Sequence, residues 1–459
     1  MHIMPKTVLV ESRLWNIFLI LASLTLLGEA TAQADPPPPD CDSGWEWDNQ
    51  MGAPYNIGGY TSYGGPIAAC QGTIYTCINH SVIVAWNDIG AWWTVASFPG
   101  SINCMTVRGS TLYVGGSFDG FRDGNNAFVN GTNVASMNAL SGVWSPIGTG
   151  TATEVFAIAV DTALNVYIGL TEFAPTTSCG YPGMLARFDT SSQSWVSVGC
   201  GLRVDTYSDS ACSPQPQPQN PPPPSPVVAR VSALYADGTD IYVAGGFDKC
   251  GSDDAYHVAK WNGSAWTPLA TDPHWCWRTA RSTPWISSIL MYSNRVYVAG
   301  EITPACNPNT GSPYTYPFGL AEFAPNGTGL LSGAEDNLWT YDSNYDEYFA
   351  APGRDLCKAG CTVYVTGEFD TIGSTDGNSG TPANGISRRV GTGAWGPLGS
   401  GLKFGTDPGG AQHLAADTHW VWVQCDYFYG DMHPMLNFDT AGGYSAAGLA
   451  RWADPNYLP

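Results

Sequence analysis

Two short segments of the sequence place oxygen-bearing side chains close together beside glycines, at 119–125 and 370–378. Carboxylate and amide oxygens of this kind are the ligands that hard cations such as Ca²⁺ prefer. Neither segment has the glutamate that completes an EF-hand loop, and Asp-Gly pairs also form ordinary turns. A calcium site is therefore one interpretation and a metal-free turn is the other. The calcium candidates are Asp119, Asp123, Asn125, Asp370 and Asp376.

A second set of candidate residues is aromatic and lies in the long segments between predicted strands. Aromatic faces beside Asp and Asn side chains suit a sugar or a peptide, because the ring stacks while the polar groups hydrogen-bond. The alternative is that these rings fold back over their own loops and the acids belong to turns. The candidates for ligand contact are Phe121, Tyr181, Tyr256, Trp275, Trp277, Tyr314, Tyr316, Tyr427 and Tyr429.

Catalytic motifs of adequate specificity are absent from the sequence, which has no GxSxG, HExxH or phosphate-binding glycine loop. His413, His419 and His433 fall in the last repeat, and ordinary strand and loop positions account for them. A pair of carboxylates for glycoside hydrolysis is still an alternative, because the acids are numerous and the distances between them are not visible in a sequence. The sequence therefore favours a binding protein, with a carbohydrate-active enzyme using acids or histidines as the alternative.

The thirteen cysteines indicate disulfides if the chain is secreted, and an odd number leaves at least one thiol unpaired or paired between chains. Zinc is the rival use, but the sequence has no CxxC pair and no histidines clustered beside cysteines. Three local disulfides are predicted from short separations. They are Cys70–Cys77, Cys200–Cys212 and Cys357–Cys361.

A recurring three-part phrase indicates the scaffold that must position these residues. Its first part is an apolar strand with a central Tyr that ends in Gly and Phe, as at 112–118, 241–247 and 363–369. The second is a short strand that ends in an aromatic residue, as at 258–261, and the third starts with Trp and closes with Pro or Gly, as at 266–269. An apolar strand precedes the Tyr phrase, so each repeat contains four strands.

Four strands per repeat is the composition of a β-propeller blade, and a ring of blades buries both faces of every sheet. The last repeat ends near Trp452 without a Trp strand, whereas the segment 44–47 precedes the first complete repeat. We therefore predict an all-β fold, a seven-bladed β-propeller of four-stranded blades closed by an N-terminal strand. Uneven spacing leaves six or eight blades as alternatives. The seven central positions are Tyr75, Tyr113, Tyr167, Tyr242, Tyr297, Tyr364 and Trp422.

The complete phrase resembles the kelch-like repeats of secreted propellers and is distantly similar to the central domain of galactose oxidase. The resemblance covers roughly residues 70–459 and implies a propeller fold. Galactose oxidase would also imply copper-radical chemistry with two Tyr, two His and a Cys, but that set does not map onto this sequence, so the activity is not carried over. Propellers host many unrelated functions, so the resemblance says little about function.

The predicted connections are unequal on the two faces of the ring. Connections from a first to a second strand are short, as at 236–240 and 293–295. Connections from a second to a third strand are long, as at 119–133 and 370–385, and those between blades, such as 203–226, emerge on the same side. Because loops held by a rigid ring commonly carry function, we expect a partner to bind on this side.

The ends of the chain predict export. Residues 1–34 read as a signal peptide, with Lys6 and Arg13 before or beside an apolar run at 14–27 and a small-residue cleavage pattern at 30–32. An uncleaved anchor is the minority alternative. A Pro-rich spacer follows at 35–43, and 44–459 forms one propeller domain with a Pro-rich loop insertion at 203–227. The expectation is a secreted, extracellular protein without a transmembrane segment in the mature chain.

The formal net charge of −21 makes nucleic acid an unsuitable partner, because an acidic surface repels phosphates. Four Asn-x-Ser/Thr sequons are candidate glycosylation sites if the source is eukaryotic. The expected partner is an extracellular glycan or protein, and a cell-surface structural or adhesion role is a further alternative. The sequons lie at Asn79, Asn130, Asn262 and Asn326.

Overall fold

The computed structural model describes most of the predicted propeller domain. The predicted signal peptide, the spacer and nearly all of the Pro-rich insertion lie outside the described residues. Within the described part, the chain is all-β apart from one turn of 3₁₀ helix at Ala334–Asp336, and none of its helices is long and apolar enough to cross a bilayer. The described residues are 45–46, 63–87, 92–173, 183–204, 230–272, 286–302, 318–342, 346–417, 420–425, 438–442, 444–446 and 448–453.

Seven antiparallel blades follow one another along the chain. We name the strands of a blade inner, second, third and outer, from the channel outwards. Strand β1 (Trp45–Glu46) belongs to the last blade. The first blade contains β2 (Tyr63–Cys70), β3 (Thr73–Ile78), β4 (Val82–Asn87) and β5 (Trp93–Ser97); the second contains β6 (Ser101–Arg108), β7 (Thr111–Asp123), β8 (Phe128–Asn138) and β9 (Trp144–Pro146).

The next two blades repeat this order and enclose a small additional sheet between them. The third blade contains β10 (Ala157–Val160), β11 (Val166–Phe173), β12 (Gly183–Asp189) and β13 (Ser194–Ser197). Strand β14 (Leu202–Arg203) precedes the fourth blade, which contains β15 (Val231–Asp237), β16 (Asp240–Gly245), β19 (Val258–Trp261) and β20 (Trp266–Pro268). Strands β17 (Lys249–Cys250) and β18 (Asp253–Asp254) lie in the connection between β16 and β19.

The fifth blade departs from the predicted four strands. It contains β21 (Ile286–Tyr292), β22 (Arg295–Gly300) and β23 (Leu320–Phe323). The position of an outer strand is taken by a single bridge between Phe323 and Leu330. The chain here turns at Asn326–Gly327 and has no Trp segment, so it supplies no regular edge strand.

The last two blades complete the ring. The sixth contains β26 (Gly353–Ala359), β27 (Thr362–Gly367), β30 (Ile386–Val390) and β31 (Trp395–Pro397), and the seventh contains β34 (His413–Ala416), β35 (Trp420–Gln424), β38 (Leu449–Ala453) and β1. Two further small sheets accompany them. The first joins β24 (Leu338–Asp342), β25 (Glu347–Ala350), β28 (Thr371–Ile372) and β29 (Thr381–Pro382), and the second joins β32 (Leu402–Phe404), β33 (Asp407–Pro408), β36 (Thr440–Ala441) and β37 (Tyr444–Ser445).

Ring closure follows from two observations. Each inner strand contacts the inner strand of the next blade in one cycle, from β2 through β6, β10, β15, β21, β26 and β34 back to β2. In the seventh blade, Trp45 pairs with Trp452 and Glu46 pairs with Arg451. The prediction of a propeller closed by an N-terminal strand is therefore confirmed.

Apolar layers between neighbouring blades hold the ring together. Between the first and seventh blades, Ile74 and Trp86 pack with Trp422 and Leu449, and all four are at most 1% exposed. Burial of apolar area against a neighbouring sheet is the main stabilising contribution in such a ring. The seven central positions predicted from the sequence all lie in second strands, which form part of these layers.

Glycine occupies the second strand where the backbone of the inner strand passes too close for a side chain. A Cβ on Gly116 would lie 2.1 Å from the carbonyl oxygen of Ser101, and a Cβ on Gly245 would lie 2.1 Å from that of Arg230. No heavy atom can occupy such a position without moving the inner strand. The repeated glycines of the sequence phrase therefore allow close approach of two strands.

A buried cluster of charged groups joins the fifth and sixth blades. Glu322, which is fully buried, accepts hydrogen bonds from Arg295 and from Arg389. The Arg389 guanidinium also lies 3.4 Å from Oδ1 of Asp336, which accepts a hydrogen bond of 2.9 Å from the indole of Trp395. Burial first, and repulsion by Glu322 second, raise the pKa of Asp336 to about 8.

The raised pKa of Asp336 predicts a pH dependence of stability. The unfolded chain releases this proton near the ordinary carboxyl value of 3.8, whereas the folded chain keeps it to about pH 8. The folded state therefore binds more protons between those limits, so this group lowers the free energy of unfolding as pH rises across them. Between pH 5 and pH 8, the free energy of unfolding measured by urea denaturation should decrease less for Asp336→Asn than for the unsubstituted chain. Equal decreases in the two proteins would contradict the assignment.

Candidate functional site

The central channel widens into a cavity of about 550 Å³ that all seven inner strands line. Most of its lining residues come from the first half of each inner strand, where the chain arrives from the preceding blade. We call this side of the ring the loop face, because it carries the connections between blades and those between second and third strands. The opposite side, which carries the tight turns from inner to second strands, is the turn face.

A repeated hydrogen bond ties each of several blades to the next around this cavity. The inner strands of the second, fourth and fifth blades have a β-bulge near their start, and a bulge re-aims the side chain of the extra residue. Asn103 donates to the carbonyl oxygen of Val155 (3.0 Å), Ser232 to that of Ile286 (2.5 Å) and Ser287 to that of Gly353 (3.2 Å). Each bond runs from one blade to the backbone of its successor, so these polar groups are fixed in place.

Charged groups of both signs surround the cavity. The guanidinium of Arg230 lies 5.1 Å from the ring centroid of Phe156, and Nε of Arg354 donates to Glu368 at 2.8 Å. Glu154 accepts a hydrogen bond of 2.8 Å from Asn103. The cavity rim is therefore polar and preorganised, whereas Ile158, Leu234, Ile289 and other apolar side chains also line the cavity.

Asp355 is the only acid among the described residues that line the cavity. Its carboxylate accepts hydrogen bonds from the backbone amides of Leu356 and Leu414, both at 2.8 Å. Burial raises the pKa of Asp355, while His413 and the hydrogen-bond donors act in the opposite direction. Asp355 thus links the sixth and seventh blades, which is a structural use of a carboxylate.

A lysine lies between two tyrosine rings near the turn face. Lys358 is placed 5.4 Å from the ring centroid of Tyr235 and 6.0 Å from that of Tyr292. These residues are at or near the ends of three successive inner strands, and Tyr235 also lines the cavity. The arrangement is a cation–π contact across blades, and it gives the turn-face end of the channel a different chemistry from the loop face.

Small sheets build much of the loop face. In each, a strand that follows one blade pairs with a strand from the long connection of the next: β14 with β17, β24 with β28, and β32 with β36. In the second blade, the extended β7 pairs with β5 of the first blade in the same manner. The long connections are thus hydrogen-bonded to one another, which fixes their backbones relative to the ring.

The aromatic candidates from the sequence divide into two placed residues and seven that lie outside the described residues. Phe121 was expected to contact ligand, but it is 1% exposed and stacks on Phe98 at 4.5 Å, with Trp144 at 4.8 Å. Its ring belongs to the core of the second blade, because the hairpin of β7 and β8 is longer than the sequence indicated. Tyr256 is half-buried on the loop face. The other seven are Tyr181, Trp275, Trp277, Tyr314, Tyr316, Tyr427 and Tyr429.

The first candidate calcium segment forms the end of a hairpin. Asp123 accepts hydrogen bonds from the amides of Asn125 (2.9 Å) and Ala127 (2.8 Å), and Asp119 accepts one from Thr132 (3.2 Å). These hydrogen bonds hold the end of the hairpin in its conformation.

The second candidate calcium segment is also organised by local hydrogen bonds. Asp370 accepts a bond of 2.7 Å from the amide of Tyr341, and Asp376 accepts two from Ser379. Across the described residues, no three His, Cys, Asp or Glu side chains are grouped so that they could hold a metal ion.

Two of the predicted disulfides are wrong. Cys357 and Cys361 are both free thiols, and Cys361 lies exposed at the hairpin turn while Cys357 pairs with Tyr364 inside the sheet. Cys70 is also a free thiol, and it pairs with Thr73 at one end of a hairpin whose other end holds Cys77, about 13 Å further along the strand by its rise per residue. Cys200 is disulfide-bonded, but its predicted partner, Cys212, lies outside the described residues.

The sequence did not single out one exposed aromatic hairpin, formed by β24 and β25. Tyr341 and Phe349 are 38% and 42% exposed, and Tyr341 pairs with Tyr348 across the hairpin. The alternation of aromatic and polar residues at 339–342, followed by the aromatic pair at 348–349, was the available signal. It was missed because neither segment belongs to the repeated phrase. The cavity residues Asn103, Arg230 and Gln412 were missed for the same reason.

Comparisons with known proteins give structural likenesses without a family. No protein-family model matches the chain, and no curated protein matches it. Among solved structures, the computationally designed Ika8 protein is 11% identical (TM-score 0.41, 86% of this chain and 97% of that one), and a chain of the Mitotic Checkpoint Complex is 10% identical (TM-score 0.44, 92% and 97%). The extracellular domain of the one-component system BT4673 from B. thetaiotaomicron is 10% identical (TM-score 0.37, 86% and 40%). The matches are to β-propeller proteins, and they carry no argument about function.

Proposed function

We propose that this chain is a non-catalytic binding propeller that takes an extracellular glycan, peptide or protein ligand at the loop face. The observation that carries the proposal is the cavity of about 550 Å³ on the channel axis, lined by all seven blades. Its volume lies in the range of ligand sites, and its mixture of apolar walls and a few fixed polar groups is typical of them.

The rigidity of the cavity supports binding. Asn103, Ser232 and Ser287 hydrogen-bond to the next blade, so the rim does not need to become ordered when a ligand arrives. Sites held by neighbouring packed elements lose less conformational entropy on binding than flexible loops do. A protruding end of a sugar chain or a peptide would fit this rim.

The enzyme alternative receives less support from the geometry. Glycoside hydrolysis generally needs two carboxyl groups that face the same cleft. Among the described lining residues, Asp355 is the only acid, and backbone amides already occupy its carboxylate. His413 also lines the cavity, whereas His419 and His433 lie outside the described residues.

Export, glycosylation and the kelch-like assignment remain part of the proposal. Export is supported by the leader pattern at 1–34, and the kelch-like assignment by the repeated Tyr and Trp phrases. All four sequon asparagines are exposed, at Asn79, Asn130, Asn262 and Asn326. Accessible asparagines on a secreted chain are suitable acceptors for N-glycans.

The cavity predicts a specific loss of binding in Gln412→Trp. Gln412 is half-buried and lines the cavity, so an indole at this position would fill part of the space a ligand needs. Labelled full-length protein would first be screened on glycan and peptide arrays, and the affinity for the best ligand would then be measured by calorimetry. We expect the affinity to fall by about tenfold or more.

Thr239→Trp is the matched control, because Thr239 is exposed in a tight turn on the turn face. This variant should bind as the unsubstituted chain does. Equal affinity of Gln412→Trp and the unsubstituted chain would reject the cavity as the binding site. Turnover of a substrate without any retained ligand would favour the enzyme alternative.

A further inference from the structure

One side of the hairpin formed by β24 and β25 presents two tyrosine rings on the loop face. Tyr341 and Tyr348 are directly opposite each other in the register, and their ring centroids are 5.2 Å apart with an interplanar angle of 55°. Side chains alternate between the two sides of a strand, so Phe349, opposite Thr340, lies on the other side. Tyr341 keeps 38% of its surface exposed.

The tyrosine side of the hairpin has a fixed geometry. The amide of Tyr341 donates to Asp370 at 2.7 Å, and its hydroxyl donates to Asp346. The ring of Tyr348 lies against the turn at Gly377, where an added Cβ would be 2.4 Å from the ring. That turn is held by hydrogen bonds from Ser379 to Asp376. The ring of Tyr348 is therefore half-buried against this turn, whereas that of Tyr341 keeps an exposed face.

The side chains around these rings carry negative charge, and the chain segments that form this side of the hairpin supply no basic residue to balance it. Three acids adjoin the tyrosine side, namely Asp346, Asp370 and Asp376, and residues 346–350 and 370–382 contain no Lys or Arg. Asp346 bonds to one ring's hydroxyl, and Asp376 belongs to the turn under the other. The electron-rich faces of tyrosine rings attract cations, and nearby carboxylates strengthen that attraction.

We propose that the Tyr341–Tyr348 side of this hairpin is a docking site for a Lys- or Arg-rich segment of a partner protein. A cationic side chain would lie over the tyrosine rings, and Asp346 and Asp376 would provide the complementary charge. This choice of partner rests on charge complementarity, because a neutral saccharide would gain from the rings but not from the acids. The site is separate from the channel cavity and does not depend on the function proposed for it.

The test is a binding measurement with the full chain. A fluorescein-labelled peptide of alternating Lys and Ser would be titrated by fluorescence anisotropy at low and at high salt. Tyr341→Ala should weaken binding about three- to fivefold, and Tyr341→Phe, which keeps a ring, should retain most of it. D346N/D376N should weaken binding about fivefold at low salt, with a smaller difference at high salt because exposed charges are screened.

Two matched controls separate this site from general attraction to an acidic protein. Phe349→Ala removes a ring of similar exposure from the opposite side of the same hairpin, and D237N/D253N removes two exposed charges elsewhere. Both controls should bind the peptide as the unsubstituted chain does. Circular dichroism would verify that each variant is folded.

Several results would overturn the proposal. Equal losses in D237N/D253N and D346N/D376N would show that the peptide responds to net charge alone. Unchanged binding of the basic peptide by Tyr341→Ala would show that the tyrosine rings do not contribute to the site. The unsubstituted chain could instead bind a neutral oligosaccharide such as cellohexaose and not the basic peptide. If Tyr341→Ala abolished that binding, the surface would be assigned to sugars.

Discussion

Replacement of Arg389 by Met is expected to lower the free energy of unfolding by about 3–5 kcal/mol, the usual effect of removing one partner from a buried ion pair. Arg389 is 5% exposed, and it donates to Glu322 and, through Nε, to the carbonyl oxygen of Gly393 at 2.6 Å. Its guanidinium also lies 5.7 Å from the ring centroid of Trp395. Loss of this one side chain therefore leaves Glu322 with Arg295 alone and removes a hydrogen bond between strand and turn.

The matched control for Arg389→Met is Lys249→Met. Lys249 pairs with Asp254, whose side chain is 58% exposed, so this ion pair lies in solvent. Exposed pairs contribute at most about 1 kcal/mol, because water screens the charges and the side chains lose freedom. Urea denaturation followed by circular dichroism would compare the variants at one pH. A loss for Arg389→Met no larger than that for Lys249→Met would contradict the structural role of the cluster.

Trp422→Ala is expected to destabilise the protein by about 3–5 kcal/mol, the range for truncating a large buried aromatic residue. Trp422 is 1% exposed and meets Trp86 of the first blade edge to face at 5.8 Å. The guanidinium of Arg451 lies 5.6 Å from its ring and 3.9 Å from that of Trp420. The substitution would leave a cavity in the layer that joins the first and last blades.

A second tryptophan provides the control for this prediction. Trp93 is 40% exposed in the outer strand of the first blade, so Trp93→Ala should cost less than about 1 kcal/mol. Trp422→Phe should lie between the two, since it retains most of the buried ring. The three variants would be compared by the same urea denaturation. If Trp422→Ala lowered the free energy of unfolding by less than Trp93→Ala does, the contact between these blades would contribute little to stability.

The architecture was predictable because it is repeated in the sequence. Tyr113, Tyr242 and Tyr364 all lie in second strands, and Trp144 and Trp395 begin outer strands, as the phrases indicated. Because the phrase is repeated, the weak local signals of its copies reinforce one another. The closing strand was predicted because the last repeat has no Trp segment after Trp452. The fifth blade differs because no phrase specifies its outer strand, and a single bridge at Phe323 occupies that position.

The candidate site was less predictable for physical reasons. A bulge that turns Asn103 or Ser232 towards the next blade depends on the distance between two inner strands, which no local pattern encodes. Phe121 was misplaced because the sequence does not reveal how far a hairpin extends. Asp123 and Asp376 are of the residue type found in cation-binding loops, but here their carboxylates accept hydrogen bonds from neighbouring amides and hydroxyls within turns.

The pairing of Trp45 and Glu46 with the final strand has a consequence for biosynthesis. The ribosome makes β1 first and β38 last, so β1 has no strand to pair with until the whole domain has emerged. During that interval the unattached β1 is open to pairing with another copy, which is the hazard of any exposed strand edge. An exchange of β1 between two nascent chains would give an interlocked dimer with the same hydrogen bonds as the monomer.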